Sequence, residues 1–128
     1  MRNIRIDAIE DEFYRPVVDF NAETGVCVIA GESYLEETSD FYAPLIKWLK
    51  EYITDVRKQI NFNFKLTYYN TSSSKKILEI LKILKDYIQT GGNVTINWYY
   101  EENDTDIIED AEDFIIITGL RINLIKYE

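Results

Sequence analysis

The hydrophobic periodicity of this chain predicts an α/β fold: a mixed β-sheet with an N-terminal hairpin and parallel strands, covered by about three helices. Three observations carry that prediction. Two β-branched runs near the N-terminus flank a polar turn, the signature of a hairpin. Downstream, segments with apolar residues at every second position are followed by segments in which they recur every three or four. Strands alternating with helices in this way are joined by crossovers, which place consecutive strands parallel and lay helices over the sheet. With 128 residues, 46% hydrophobic and 14% aromatic, the chain has material for one core. No internal repeat, low-complexity segment or linker divides it, so residues 1–128 read as a single domain.

The hairpin is read from Val17-Val18-Asp19-Phe20 and Val26 to Ala30, joined by Asn21-Ala22-Glu23-Thr24-Gly25, with Gly31 expected to end the second strand. A polar connection over Glu32 to Asp40 leads to a helix expected to start between Ser39 and Pro44. There Leu45, Trp48, Leu49, Tyr52, Ile53 and Val56 line one face while Lys47, Lys50, Glu51 and Arg57 point away. Phe62, Phe64, Leu66 and Tyr68 then alternate with Asn63, Lys65, Thr67 and Tyr69, the period of a strand with unlike faces. A second helix carries Ile77, Leu78, Ile80, Leu81, Leu84 and Ile88 and stops at Gly91-Gly92-Asn93. Val94, Ile96, Trp98 and Tyr100 make the next strand. Ile107, Ile108, Ala111, Phe114 and Ile115 fit a third helix ended by Gly119, although Ile115-Ile116-Ile117-Thr118 also suits a strand. Leu120, Ile122 and Leu124 suggest a last strand, and Trp48 and Trp98 are expected in the core.

Charge and composition narrow the function. Fourteen basic against 23 acidic residues give a net charge of −9 and a pI near 4.5, which repels nucleic acids and anionic membrane surfaces and favours protein partners. With no histidine and one cysteine, the usual zinc ligands and the Cys-His and Ser-His-Asp constellations are missing, and no cofactor is expected. Cys27 lies in an apolar run, which reads as a buried small side chain in a reducing cytoplasm. No stretch reaches the roughly 20 apolar residues of a membrane span, and the N-terminus has no signal-peptide core.

The segment Tyr68-Tyr69-Asn70-Thr71-Ser72-Ser73-Ser74-Lys75-Lys76 joins a strand directly to a helix. Its hydroxyls and backbone N–H groups therefore sit at the positive end of a helix dipole, where a phosphate is stabilised. Thr71 or Ser72 also reads as a simple N-cap. Yet three serines after Thr71 exceed what one cap requires, and Lys75 and Lys76 place cations in a first turn where the dipole disfavours them. Both ammonium groups suit an added phosphate or a partner's carboxylates. The acidic run Glu101, Glu102, Asp104, Asp106, Glu109, Asp110, Glu112 and Asp113 lacks the spacing and central glycine of an EF-hand and reads as a solvated helix face.

Four stretches, Gly31-Glu32-Ser33-Tyr34, Phe41 to Leu49 with Pro44, Leu45 and Trp48, Tyr69-Asn70-Thr71-Ser72-Ser73, and Asn97-Trp98-Tyr99-Tyr100, occur in the order and spacing of the SiaC family, which the chain resembles over nearly its whole length. The sequence departs from the family at Leu35, where proline is frequent, and at Ser74, which extends the hydroxyl run. The resemblance implies a fold related to STAS-type anti-sigma-factor antagonists and a non-enzymatic, regulatory phosphoprotein. Its threonine, matched here by Thr71, is phosphorylated by a dedicated protein kinase and dephosphorylated by a PP2C-type phosphatase. In the founding system the unphosphorylated protein activates a diguanylate cyclase, raising cyclic-di-GMP and favouring biofilm formation. Glu32, Ser33 and Tyr34, within the family motif, and Tyr69, Asn70, Ser72, Ser73, Lys75 and Lys76, around Thr71, are the expected partner-binding residues. Two alternatives are a STAS-type antagonist that binds a kinase-fold anti-sigma factor, and a carboxylate-dependent metal enzyme suggested by the acidic run alone.

Overall fold

A computed structural model of the chain describes residues 1–9 and 14–127. Six strands form one sheet whose spatial order repeats the chain order: β1 (Ile4–Ile6), β2 (Val17–Phe20), β3 (Val26–Ser33), β4 (Ile60–Tyr69), β5 (Val94–Tyr100) and β6 (Asn123–Lys126). The first three pair antiparallel, and β3 to β6 pair parallel. The crossovers are α1 (Thr38–Glu51), which runs on into a π-helical turn over Tyr52–Val56, then α2 (Thr71–Gln89) and α3 (Thr105–Thr118). Because all three advance in one direction, right-handed connection puts all three helices on the same face of the sheet. Accordingly α1 packs on α2 and α2 on α3. A single core fills the space between: Phe20, Cys27, Ile29, Phe62, Phe64, Ile96 and Trp98 from the sheet meet Tyr42, Leu45, Leu49, Ile77, Leu81, Leu84, Ala111 and Phe114 from the helices.

The other face of the sheet carries a row of amides. Asn123 donates to Asn97 Oδ1 at 3.0 Å, Asn97 to Asn63 Oδ1 at 3.0 Å, and Asn63 to Asn61 Oδ1 at 3.0 Å, spanning β6, β5 and β4. Asn63, Asn97 and Asn123 stand in register, so each side-chain carbonyl meets the next strand's amide.

The expected elements are present, with corrections. A strand at Ile4–Ile6 precedes the hairpin, held by β2, where three residues are too few to show a period. Gly31 does not end β3; it adopts φ +88 and the strand continues to Ser33. The register shifts at Gly31/Glu32, so that Leu66 pairs with Gly31 but Tyr68 with Glu32, leaving Thr67 as the extra residue of a bulge. Helix α1 begins at Thr38, one residue before the expected window, and Pro44 lies inside it. In α2 the core position falls to Tyr87, while Ile88 is exposed. Ile115 to Thr118 are helical, and Gly119, at φ +71, caps the helix through its N–H on the Ile115 carbonyl. Leu120 and Ile122 are buried ahead of β6, in which Leu124 is exposed. Trp48 and Trp98 are buried as expected, Trp98 stacked on Phe64 with centroids 4.9 Å apart.

Candidate functional site

Strands β3 and β4 end side by side, and α2 starts one residue after β4. The carboxyl edge of a parallel sheet therefore meets a helix N-terminus here, the place where α/β folds gather their binding groups. The cap is Asn70, not Thr71 or Ser72. Its φ and ψ of −85 and 175 are extended, and its Oδ1 accepts from Ser73 N at 3.0 Å and from Ser72 Oγ at 3.1 Å. Its Nδ2 donates to the Leu35 carbonyl at 3.1 Å, and its backbone N–H to the Ser33 carbonyl at 3.1 Å.

That cap accounts for the serine run. Ser73 is fully buried, donates to the Ser33 carbonyl at 2.8 Å and accepts from Ser33 Oγ at 2.8 Å; Ser33, equally buried, lies 2.7 Å from the Tyr42 hydroxyl. Burial pushes the Tyr42 phenol up to about 12, against the opposing effect of those two serines. Ser72 Oγ lies 2.7 Å from Thr38 Oγ1, and Ser74 Oγ donates to the Thr71 carbonyl at 2.7 Å. Three of the four consecutive hydroxyls are thus engaged within the fold. Thr71 is the exception: it is exposed, at the first helical position, and its hydroxyl makes no hydrogen bond among the described residues.

The expected partner-binding residues divide accordingly. Ser33 and Ser73, fully buried, do not reach a surface; they are struts beneath Thr71. Tyr69 points inward, because the bulge exchanges the faces of Tyr68 and Tyr69: its hydroxyl donates to Asp110 Oδ2 on α3 at 2.8 Å and its ring meets Trp98 edge-on at 6.2 Å. Burial first, and then the Asp110 hydrogen bond and charge, hold its phenol well above the ordinary value. Lys76 pairs with Glu79 at 3.3 Å and lines the groove between α1 and α2, away from Thr71. Lys75, Glu32 and Tyr34 are exposed.

The residues that share a pocket with Thr71 are Tyr69, Asn70, Ser74, Asp110, Asp113, Phe114 and Ile117, around about 300 Å³. Asp110 and Asp113, read in sequence only as solvated helix face, are thus acidic neighbours of the site. Tyr68, not among the expected site residues, is 50% exposed, with its ring 5.8 Å from that of the 57% exposed Tyr34. A glycine inside a strand is the usual sequence mark of such a bulge, so Gly31 carried the signal. Among the described residues no group of three or more acidic or sulfur side chains is placed to hold a metal ion, and no helix is long and apolar enough to cross a membrane.

Comparison with known proteins shows the family and the fold. The model of the SiaC family of regulatory phosphoproteins matches residues 9–127. An uncharacterized protein of Pseudomonas aeruginosa strain UCBPP-PA14 is 28% identical over 99 residues, covering 77% of this chain and 79% of that protein. The crystal structure of apo-SiaC from Pseudomonas aeruginosa superposes with a TM-score of 0.86 at 24% identity, covering 98% of this chain and 99% of that one. The fold recurs, with a TM-score of 0.88 at 23% identity and coverage of 97% and 99%, in the structure of the diguanylate cyclase SiaD from Pseudomonas aeruginosa in complex with its activator SiaC.

Proposed function

The chain belongs to the SiaC family of regulatory phosphoproteins, and from that premise we propose that it is a non-enzymatic cytoplasmic switch whose bare form binds and activates a diguanylate cyclase, with phosphate on Thr71 releasing that partner. A dedicated kinase adds the phosphate and a PP2C-type phosphatase removes it. The observation that carries this reading is the unengaged, exposed Thr71 hydroxyl beside three serines already held in hydrogen bonds. The cyclase is favoured over an anti-sigma factor because the relative of the same fold is an activator bound to such an enzyme.

The geometry supports a switch that leaves the fold alone. The α2 N-terminus offers backbone N–H groups and a dipole to an anion. Asp110 and Asp113 repel it from the α3 side of the pocket, so the phosphate projects outward, where its charge of about −1.5 to −2 and its hydration shell disrupt a surface fitted to a small threonine. Mass spectrometry after kinase treatment should place the phosphate on Thr71. Thr71→Ala should abolish incorporation and keep cyclase binding, whereas Thr71→Glu should weaken binding with an unchanged circular dichroism spectrum. Phosphate on Ser72 or Ser73 with Thr71 untouched would falsify the assignment, and equal affinity of both phospho-states for the cyclase would remove the switch.

A further inference from the structure

Beside the carboxyl edge of β3 lies a second concavity, of about 490 Å³, lined by Tyr14, Tyr34, Leu35, Glu36 and Glu37. Tyr14 and Tyr34 are 44% and 57% exposed. They are tied together by the Tyr34 N–H, which donates to the Tyr14 carbonyl at 2.9 Å, and Tyr68 extends the aromatic surface from Tyr34. Exposed tyrosines clustered about a cavity are the composition of a binding centre, not of ordinary protein surface. The charge is one-sided. Glu36 and Glu37 line the cavity, and Asp40 stands next to Glu37. A hydrogen bond shared with Asp40, and then the charges of Asp40 and Glu36, hold the Glu37 carboxyl above its ordinary value. Among the described residues no lysine or arginine lines the cavity; the nearby Arg15 guanidinium lies over the Phe41 ring, 5.9 Å from its centroid.

Aromatic faces together with two carboxylates are the chemistry that receives a guanidinium, which stacks on a ring and donates in pairs to a carboxylate. The cavity is also fastened to the switch. The Leu35 carbonyl in its wall accepts from the Asn70 side chain at 3.1 Å and from Thr38 Oγ1 at 3.1 Å, and Thr38 Oγ1 lies 2.7 Å from Ser72 Oγ. The residue before Thr71 and the one after it thus both hold this wall.

We propose that this cavity is the anchor point of the partner interface and that its occupant is an arginine side chain of the diguanylate cyclase. The proposal rests on the functional reading above and adds to Tyr34 the residues Tyr14, Glu36 and Glu37, with the chemistry they recognise. The test is the affinity of the purified, unphosphorylated chain for the host's diguanylate cyclase, measured for wild type, Tyr34→Ala and the double variant Glu36→Gln with Glu37→Gln. All the altered side chains are solvent-exposed, so the three proteins should share one thermal midpoint. Each variant should lose about tenfold in affinity, and the double variant should also lose most of the salt dependence of binding. Wild-type binding with both variants within twofold of it would overturn the anchor and leave the functional reading standing. Absence of wild-type binding would overturn the functional reading itself, and the anchor with it. Sedimentation showing a dimer of the chain that Tyr34→Ala dissociates would assign the patch to a second copy and would equally overturn the proposal.

Discussion

Tyr42 and Trp98 show how single side chains in this fold carry polar atoms into the core on different terms. The Tyr42 hydroxyl is met by Ser33 at 2.7 Å, while Trp98 Nε1, buried among aromatic rings, has no hydrogen-bond partner among the described residues. Trp98→Ala should therefore cost about 3–5 kcal/mol through lost packing, but Trp98→Phe much less, because no hydrogen bond is lost with the indole. Urea unfolding of both variants tests this, and equal losses would show that the indole nitrogen matters. The Tyr42 phenol titrates near 12 when folded against about 10 when unfolded. Raised in the folded state, it contributes stability that is fully present below pH 10 and is lost as pH climbs toward 12, on the order of 2–3 kcal/mol. Thermal midpoints should fall across that window, and Tyr42→Phe should fall less steeply. At this scale the sequence was informative where period alone decides, as at Trp48 and Trp98. It was misleading at Ser33 and Ser73, because a hydroxyl gives no sign of whether it caps, struts or faces solvent until its neighbours 40 residues away are known.

Among the elements, the start of α2 and the turn before β3 are the most exacting. Asn70 closes the helix N-terminus and reaches the Leu35 carbonyl at once. Asn70→Ala should cost about 1–2 kcal/mol, more than Ser74→Ala, whose hydroxyl only returns to the Thr71 carbonyl. Denaturant midpoints of the two would reverse in order if Asn70 were not the cap. Gly25, at φ +74, sits where an added Cβ would run into the Gln59 carbonyl and the Tyr52 hydroxyl. The Tyr52 hydroxyl itself donates to that carbonyl at 2.8 Å, so neither can give way without breaking the bond, and Gly25→Ala should be among the most damaging single changes in the chain. A folded Gly25→Ala protein of near wild-type stability would contradict this account of the turn. Helix and strand periods made nearly every element legible, including the choice of helix for Ile115 to Thr118 once Gly119 is seen as its stop. What they could not supply was the bulge at Gly31 and Glu32. An alternating pattern read straight through Thr67 assigns Tyr68 and Tyr69 to the wrong faces, and with them the exposed half of the site.

For the whole molecule, one core and the lack of any described metal-holding group mean that EDTA should leave the thermal midpoint unchanged; a fall of several degrees would point to an ion that the fold requires. The sheet whose spatial order repeats its chain order has a further consequence, for how the molecule comes into being. Each strand pairs only with its neighbours in sequence, so no strand must wait for a segment made later than the next helix and strand before its ladder can close. A nascent chain leaving the ribosome could add β4, α2 and β5 in turn to an edge already in place. Thr71, halfway along, would then be seated on β3 and β4 while the acidic wall of α3 was still being synthesised.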